Sequence, residues 1–117
     1  MRNLFLTLVF ALLPASALAH ATLDGSTPAV GSSVPPTDSI RLRYTEGVEA
    51  RFSSVTVSPD GGAPLPSAKA EVDPADNKVL MLHLTDMLAP GRYRVNWHIV
   101  SVDSHRTEGS FTFTVSP

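Results

Sequence analysis

Alternation of apolar and polar residues at period two recurs along the chain, and no window of useful length carries apolar residues at helical spacing. The clearest run sets Tyr93, Val95, Trp97 and Ile99 on one side of a strand and Arg92, Arg94, Asn96 and His98 on the other. Phe111, Phe113 and Val115 alternate in the same way with Thr112 and Thr114, and Ile40, Leu42 and Tyr44 with Arg41 and Arg43. Val55 and Val57 predict a shorter strand, and the apolar-rich run Val79 to Leu84 predicts one buried on both faces, with Met81 packed inside. Turn chemistry separates these runs at Pro35-Pro36, Ser58-Pro59-Asp60-Gly61-Gly62, Asp73-Pro74-Ala75-Asp76-Asn77 and Ala89-Pro90-Gly91. Residues 59–77 read as one long irregular connection, with room for a short edge strand. The pattern predicts an all-β domain, a Greek-key sandwich or small barrel.

The start of the chain reads differently. Arg2 precedes an apolar run from Leu4 to Leu13, Pro14 breaks it, and the small residues Ala15, Ser16, Ala17 and Ala19 follow, the layout of a secretory signal peptide. The run is about half the length of the roughly 20 residues that a membrane-crossing helix needs. The expectation is a cleaved leader over 1–19 and a single exported domain over 20–117, with no membrane span in the mature chain. Ala15-Ser16-Ala17 is a second acceptable cleavage motif, and cutting there would leave Leu18 first.

Composition narrows the chemistry. Cysteine is absent, which removes disulfides, iron–sulfur clusters, thiolate nucleophiles, sulfur-based zinc sites and blue-copper sites. The formal net charge of −2 becomes more negative when Arg2 leaves with the leader. Without a basic cluster, neither nucleic acid nor an anionic membrane surface is an expected partner.

Histidine occurs at positions 20, 83, 98 and 105. His83 and His98 read as ordinary strand histidines. His105 lies in Ser101-Val102-Asp103-Ser104-His105-Arg106, just after the strongest strand, and in an extended segment Asp103 and His105 point to the same side. Taken alone, Asp-x-His is a weak motif. Processing after Ala19 strengthens it, because a first residue His20 offers a free α-amine and an imidazole that close a chelate ring on one cation. An α-amine has a pKa of about 7.7 to 8.0, so it gives up its proton near neutrality at little cost. His20, Asp103 and His105 together supply three nitrogens and one oxygen, a set that suits tetragonal copper(II) better than zinc. Copper(I) would call for soft sulfur, and only Met81 and Met87 follow the leader.

Several stretches, in order, resemble the CopC family of periplasmic copper-binding proteins over essentially the whole mature chain. They are His20-Ala21-Thr22-Leu23 with Ser26-Thr27-Pro28-Ala29, and Tyr44-Thr45-Glu46-Gly47-Val48-Glu49 leading to Phe52-Ser53. Leu88 to Trp97, Ser101 to His105 and Gly109 to Val115 complete the match. The resemblance implies a cupredoxin-like Greek-key β-barrel that holds copper(II) by His20, Asp103 and His105, with Glu46 near the metal as an outer-shell or weak axial group. Two departures stand out. Ser104 occupies a place where the family usually has glycine, which matters if the loop needs a positive φ. The methionine-rich copper(I) loop of some relatives is missing.

The leading expectation is therefore a periplasmic copper(II) carrier or sequestering protein, not an enzyme. Its partners would be a copper ion and an inner-membrane copper transporter. Two alternatives stay open: a copper-dependent oxidative enzyme of the lytic monooxygenase type, which also uses an N-terminal histidine, and a metal-free β-sandwich interaction module of the cell envelope.

Overall fold

A computed structural model describes residues 21–117. The leader reading of residues 1–19, and His20 with it, lie outside the described residues. Eight strands follow in chain order: β1 (Leu23–Thr27), β2 (Ser33–Val34), β3 (Ser39–Tyr44), β4 (Ser54–Pro59), β5 (Glu71–Asp73), β6 (Asp76–His83), β7 (Gly91–Val100) and β8 (Arg106–Val115). One 3-10 turn, Ala50–Phe52, precedes β4.

The strands form two four-stranded sheets, ordered β1-β3-β6-β5 and β2-β8-β7-β4. Every pairing is antiparallel except that of β2 with β8. The chain changes sheet after each of the first four strands, then makes the hairpins β5-β6 and β7-β8. This is a cupredoxin-like β-sandwich: the alternation predicted the sandwich, and the family resemblance implied its cupredoxin-like form.

Residues read as core-facing are the ones buried between the sheets. Ile40, Leu42 and Tyr44 of β3 meet Val95, Trp97 and Ile99 of β7 and Phe111, Phe113 and Val115 of β8 in one cluster. Burying side chains of this size contributes about 1.5–3 kcal/mol each, which lets a chain without disulfides hold together. Tyr93 stacks on Phe113 with ring centroids 5.8 Å apart, and its hydroxyl donates to the Ala89 carbonyl at 2.6 Å. Trp97 faces Gly109 across the β7-β8 pair. A Cβ on Gly109 would lie 2.5 Å from Trp97 Cζ2, so the indole occupies the space that only glycine leaves.

The apolar run of β6 departs from the reading made of it. Leu80, Leu82 and Leu84 enter the core, but Met81 turns to the outer face, half-buried, and His83 is exposed. Arg41 pairs with Met81 across β3-β6 and brings its guanidinium within 3.0 Å of the sulfur. Val79, on the same face as Met81 and His83, is buried all the same. The run is thus buried on both faces at its start and only on the core face from Met81 onward, where the alternation of the strand carries side chains to the solvated side. The long connection does carry an edge strand, β5, which pairs with β6. Its turn is tighter than expected, since β6 already begins at Asp76.

Candidate metal centre

The hairpin loop between β7 and β8 carries both ligand candidates that lie among the described residues. Ser101 at its base is fully buried. The Ser101 amide donates to the His105 carbonyl at 2.9 Å, and the Ser104 amide to the Ser101 carbonyl at 2.8 Å. Closing the loop this tightly puts Ser104 at φ 71°, the left-handed region where glycine fits without cost. The conformation expected of a glycine is thus present with serine in its place.

Ser101 also organises the side chains. Its hydroxyl donates to Asp103 Oδ1 and accepts from the His105 amide at 3.2 Å. Asp103 Oδ2 then meets His105 Nδ1 at 3.1 Å. The two side chains that the Asp-x-His spacing placed on one side do face each other, with 40% and 43% of their surfaces exposed. The Ser101 hydrogen bond chiefly holds the Asp103 carboxyl below the usual carboxylate range, against a smaller opposing effect of desolvation. The charge and hydrogen bonds of His105 add to it.

Two further segments reach this loop. Val102 donates its amide to the Gly47 carbonyl at 2.9 Å, and Val48 forms a bridge with Ser101. Glu46, half-buried, thus sits one residue from a strand-like contact with the loop. The start of the described chain is fastened nearby. The carbonyl of Ala21, itself buried, accepts from Thr107 Oγ1 at 2.9 Å. Thr22 and Thr45 exchange bonds, the Thr22 amide to Thr45 Oγ1 at 3.0 Å and the Thr45 amide to the Thr22 carbonyl at 2.9 Å.

Among the described residues no group of three His, Cys, Asp or Glu side chains converges as a metal cage. Asp103 and His105 come together; His83 and His98 do not join them. His98 instead pairs with Glu108 at 2.9 Å on the outer face of its sheet. The sequence reading missed Ser101, Thr45 and Thr107, hydroxyl residues whose roles depend on pairing between distant segments. The one local hint was a serine two places before the aspartate of a tight loop, a spacing that favours side-chain bonding to nearby backbone.

A two-sheet sandwich with an Asp-x-His hairpin loop beside the start of the described chain defines a class of small β-domain. The CopC domain model matches residues 23–116, and the chain belongs to the CopC family. It is 38% identical over 109 residues to Protein YobA of Escherichia coli K12, covering 92% of this chain and 88% of that one. The crystal structure of CopC from Methylosinus trichosporium OB3b superposes with a TM-score of 0.77 at 29% identity, covering 84% and 95% of the two chains. PcoC, a methionine-rich copper resistance protein from Escherichia coli, superposes with a TM-score of 0.70 at 35% identity over 84% of this chain and all of that one.

Proposed function

We propose that the protein is a periplasmic copper(II) carrier or sequestering protein for copper homeostasis or resistance, which holds its cargo with the amine and imidazole of a processed N-terminal His20, Asp103 and His105. The observation that carries this reading is the Ala21–Thr107 hydrogen bond. Residue 20 is one peptide bond from Ala21, roughly 3.8 Å between Cα atoms, and Thr107 is two residues from His105. A ligand set split between the two ends of the chain needs such a fastening. The copper resistance function of the relative PcoC supports the same reading, and the leader-like start supports export.

The donors fit the cargo. Nitrogen and carboxylate donors suit copper(II), and a cation at the loop would take the place of the direct Asp103–His105 contact. Glu46 would act from the side as a group that orients ligands. The sulfur of Met81 has a guanidinium beside it, which opposes binding of copper(I) there. The oxidative enzyme's flat aromatic face would need several exposed rings, whereas Tyr93, Trp97, Phe111 and Phe113 are buried and Phe52 is the one exposed ring among the described residues.

Equilibrium dialysis of the exported protein against copper(II) tests the proposal. One copper retained per chain, lost on His105→Ala, is the expected result. Retention of no stoichiometric copper would leave the metal-free interaction module.

A further inference from the structure

We propose that the groove beside the β7-β8 loop is a docking surface for an acidic segment of a partner protein that carries an apolar anchor residue. The groove, about 540 Å³, lies on the outer face of the β2-β8-β7-β4 sheet and is bordered by Phe52, His98, Val100, Arg106 and Glu108. Phe52 is 63% exposed, and the Arg51 guanidinium lies 5.3 Å from its ring centre. An exposed aromatic stiffened by a cation beside a concave surface is the kind of feature around which interface energy concentrates.

The charge of this face sets the chemistry of the occupant. Arg106 lines the groove and Arg51 lies against Phe52 at its border, while Arg94 and Arg92 are exposed residues further along β7, six and eight positions from Val100. The carboxylates nearby are Glu108 in the lining and Glu49, whose amide donates to the Val100 carbonyl. Arg92 reaches Asp60 at 3.8 Å and His98 is matched by Glu108. Among the described residues no carboxylate pairs with Arg51, Arg94 or Arg106. The chain as a whole is acidic, so this face is an exception that attracts and orients an acidic surface.

Shape favours a protein segment over an anionic membrane. Membranes are read by projecting basic clusters on amphipathic or polybasic segments, whereas this site is recessed, part apolar, and contains Glu108. Another copy of the chain could offer acidic residues, but joining this face to a different face is a heterologous contact, which does not close into a dimer. Position adds a consequence: Val100 and Arg106 are the residues on either side of the loop that carries Asp103 and His105. An occupant would lie next to that loop. The surface stands whether or not the loop binds copper, and its test uses metal-free protein.

The probe is a synthetic peptide of Asp and Glu residues around one central Phe, titrated into isotopically labelled protein and followed by amide chemical shifts. The proposal expects saturable shifts centred on Phe52, Val100 and Arg106, at least ~10-fold weaker binding on raising salt from about 20 to about 300 mM, and a similar loss when the peptide Phe becomes Ala. Arg106→Glu and Phe52→Ser should each reproduce that loss. Both side chains are exposed, and unchanged thermal unfolding confirms that each variant folds; Arg51→Glu serves if either does not. Shifts spread over all the arginines with no dependence on the peptide Phe would overturn the proposal. So would protection of the groove by phosphatidylglycerol vesicles but not by peptide, or self-association of the protein alone through the groove.

Discussion

Ser101 makes the geometry of the loop depend on a residue that is not one of the proposed ligands. Its hydroxyl links Asp103 to the backbone of His105, so Ser101→Ala removes two constraints from a fully buried position. We expect a loss of about 1–3 kcal/mol in urea unfolding, the range for buried polar groups left without a partner, with weaker copper retention in dialysis. Ser104 has the opposite sensitivity. At φ 71° it carries a left-handed cost of roughly 1–2 kcal/mol that glycine avoids, partly offset by the greater freedom of glycine in the unfolded chain. Ser104→Gly should therefore raise the urea midpoint without altering the proposed metal donors. At this scale the sequence showed Asp103 and His105, because two residues apart in an extended segment is a local relation. Thr107 and Thr45 were invisible, since the chain they fasten is 86 and 23 residues away from them respectively.

Strands that alternate against a core were legible, and strands held only by their neighbours were not. β7, β8 and β3 each offer three or more apolar residues at period two, enough to fix which face turns inward. β1 reads Leu-Asp-Gly-Ser-Thr, polar enough to pass for a loop; it is a strand because β3 supplies an edge for it. β2 is two residues long and runs parallel to β8, which no short-range pattern encodes. Such edges take their structure from long-range pairing rather than propensity. The β7-β8 hairpin, which presents the Asp103–His105 loop, packs Trp97 against Gly109 so closely that an added Cβ would lie 2.5 Å from the indole. Gly109→Ala should destabilise the fold by roughly 1–3 kcal/mol, the cost of forcing an added group into a packed core. Thermal unfolding would measure it, and Gly25→Ala, where nothing lies within 4 Å of the added Cβ, is the control.

Over the whole molecule, the sandwich brings the beginning of the described chain, the segment after β3 and the β7-β8 loop to one end. The architecture was readable from the sequence; the meeting of these three segments was not, because it depends on how the sheets stack. Two carboxyls report on the assembled state through acid. Asp103 is lowered chiefly by Ser101, and Asp73 by the Ala75 amide and by Arg41. A carboxylate lowered in the folded state stabilises it above the ordinary pKa of about 3.9, and that contribution fades as pH falls below it. Urea midpoints should thus drop between about pH 5 and pH 2, and Asp73→Asn should make the drop shallower.

Copper retention by the processed chain, compared with the same chain acetylated at its amine, tests the central claim most directly. Acetylation removes one of the proposed donors and leaves the sandwich untouched. Outer-shell partners already carry about 10–100-fold in metal affinity, so blocking a ligand should weaken copper(II) binding by at least ~100-fold and simplify the nitrogen hyperfine pattern in the electron paramagnetic resonance spectrum. Equal affinity and an unchanged spectrum would contradict the account.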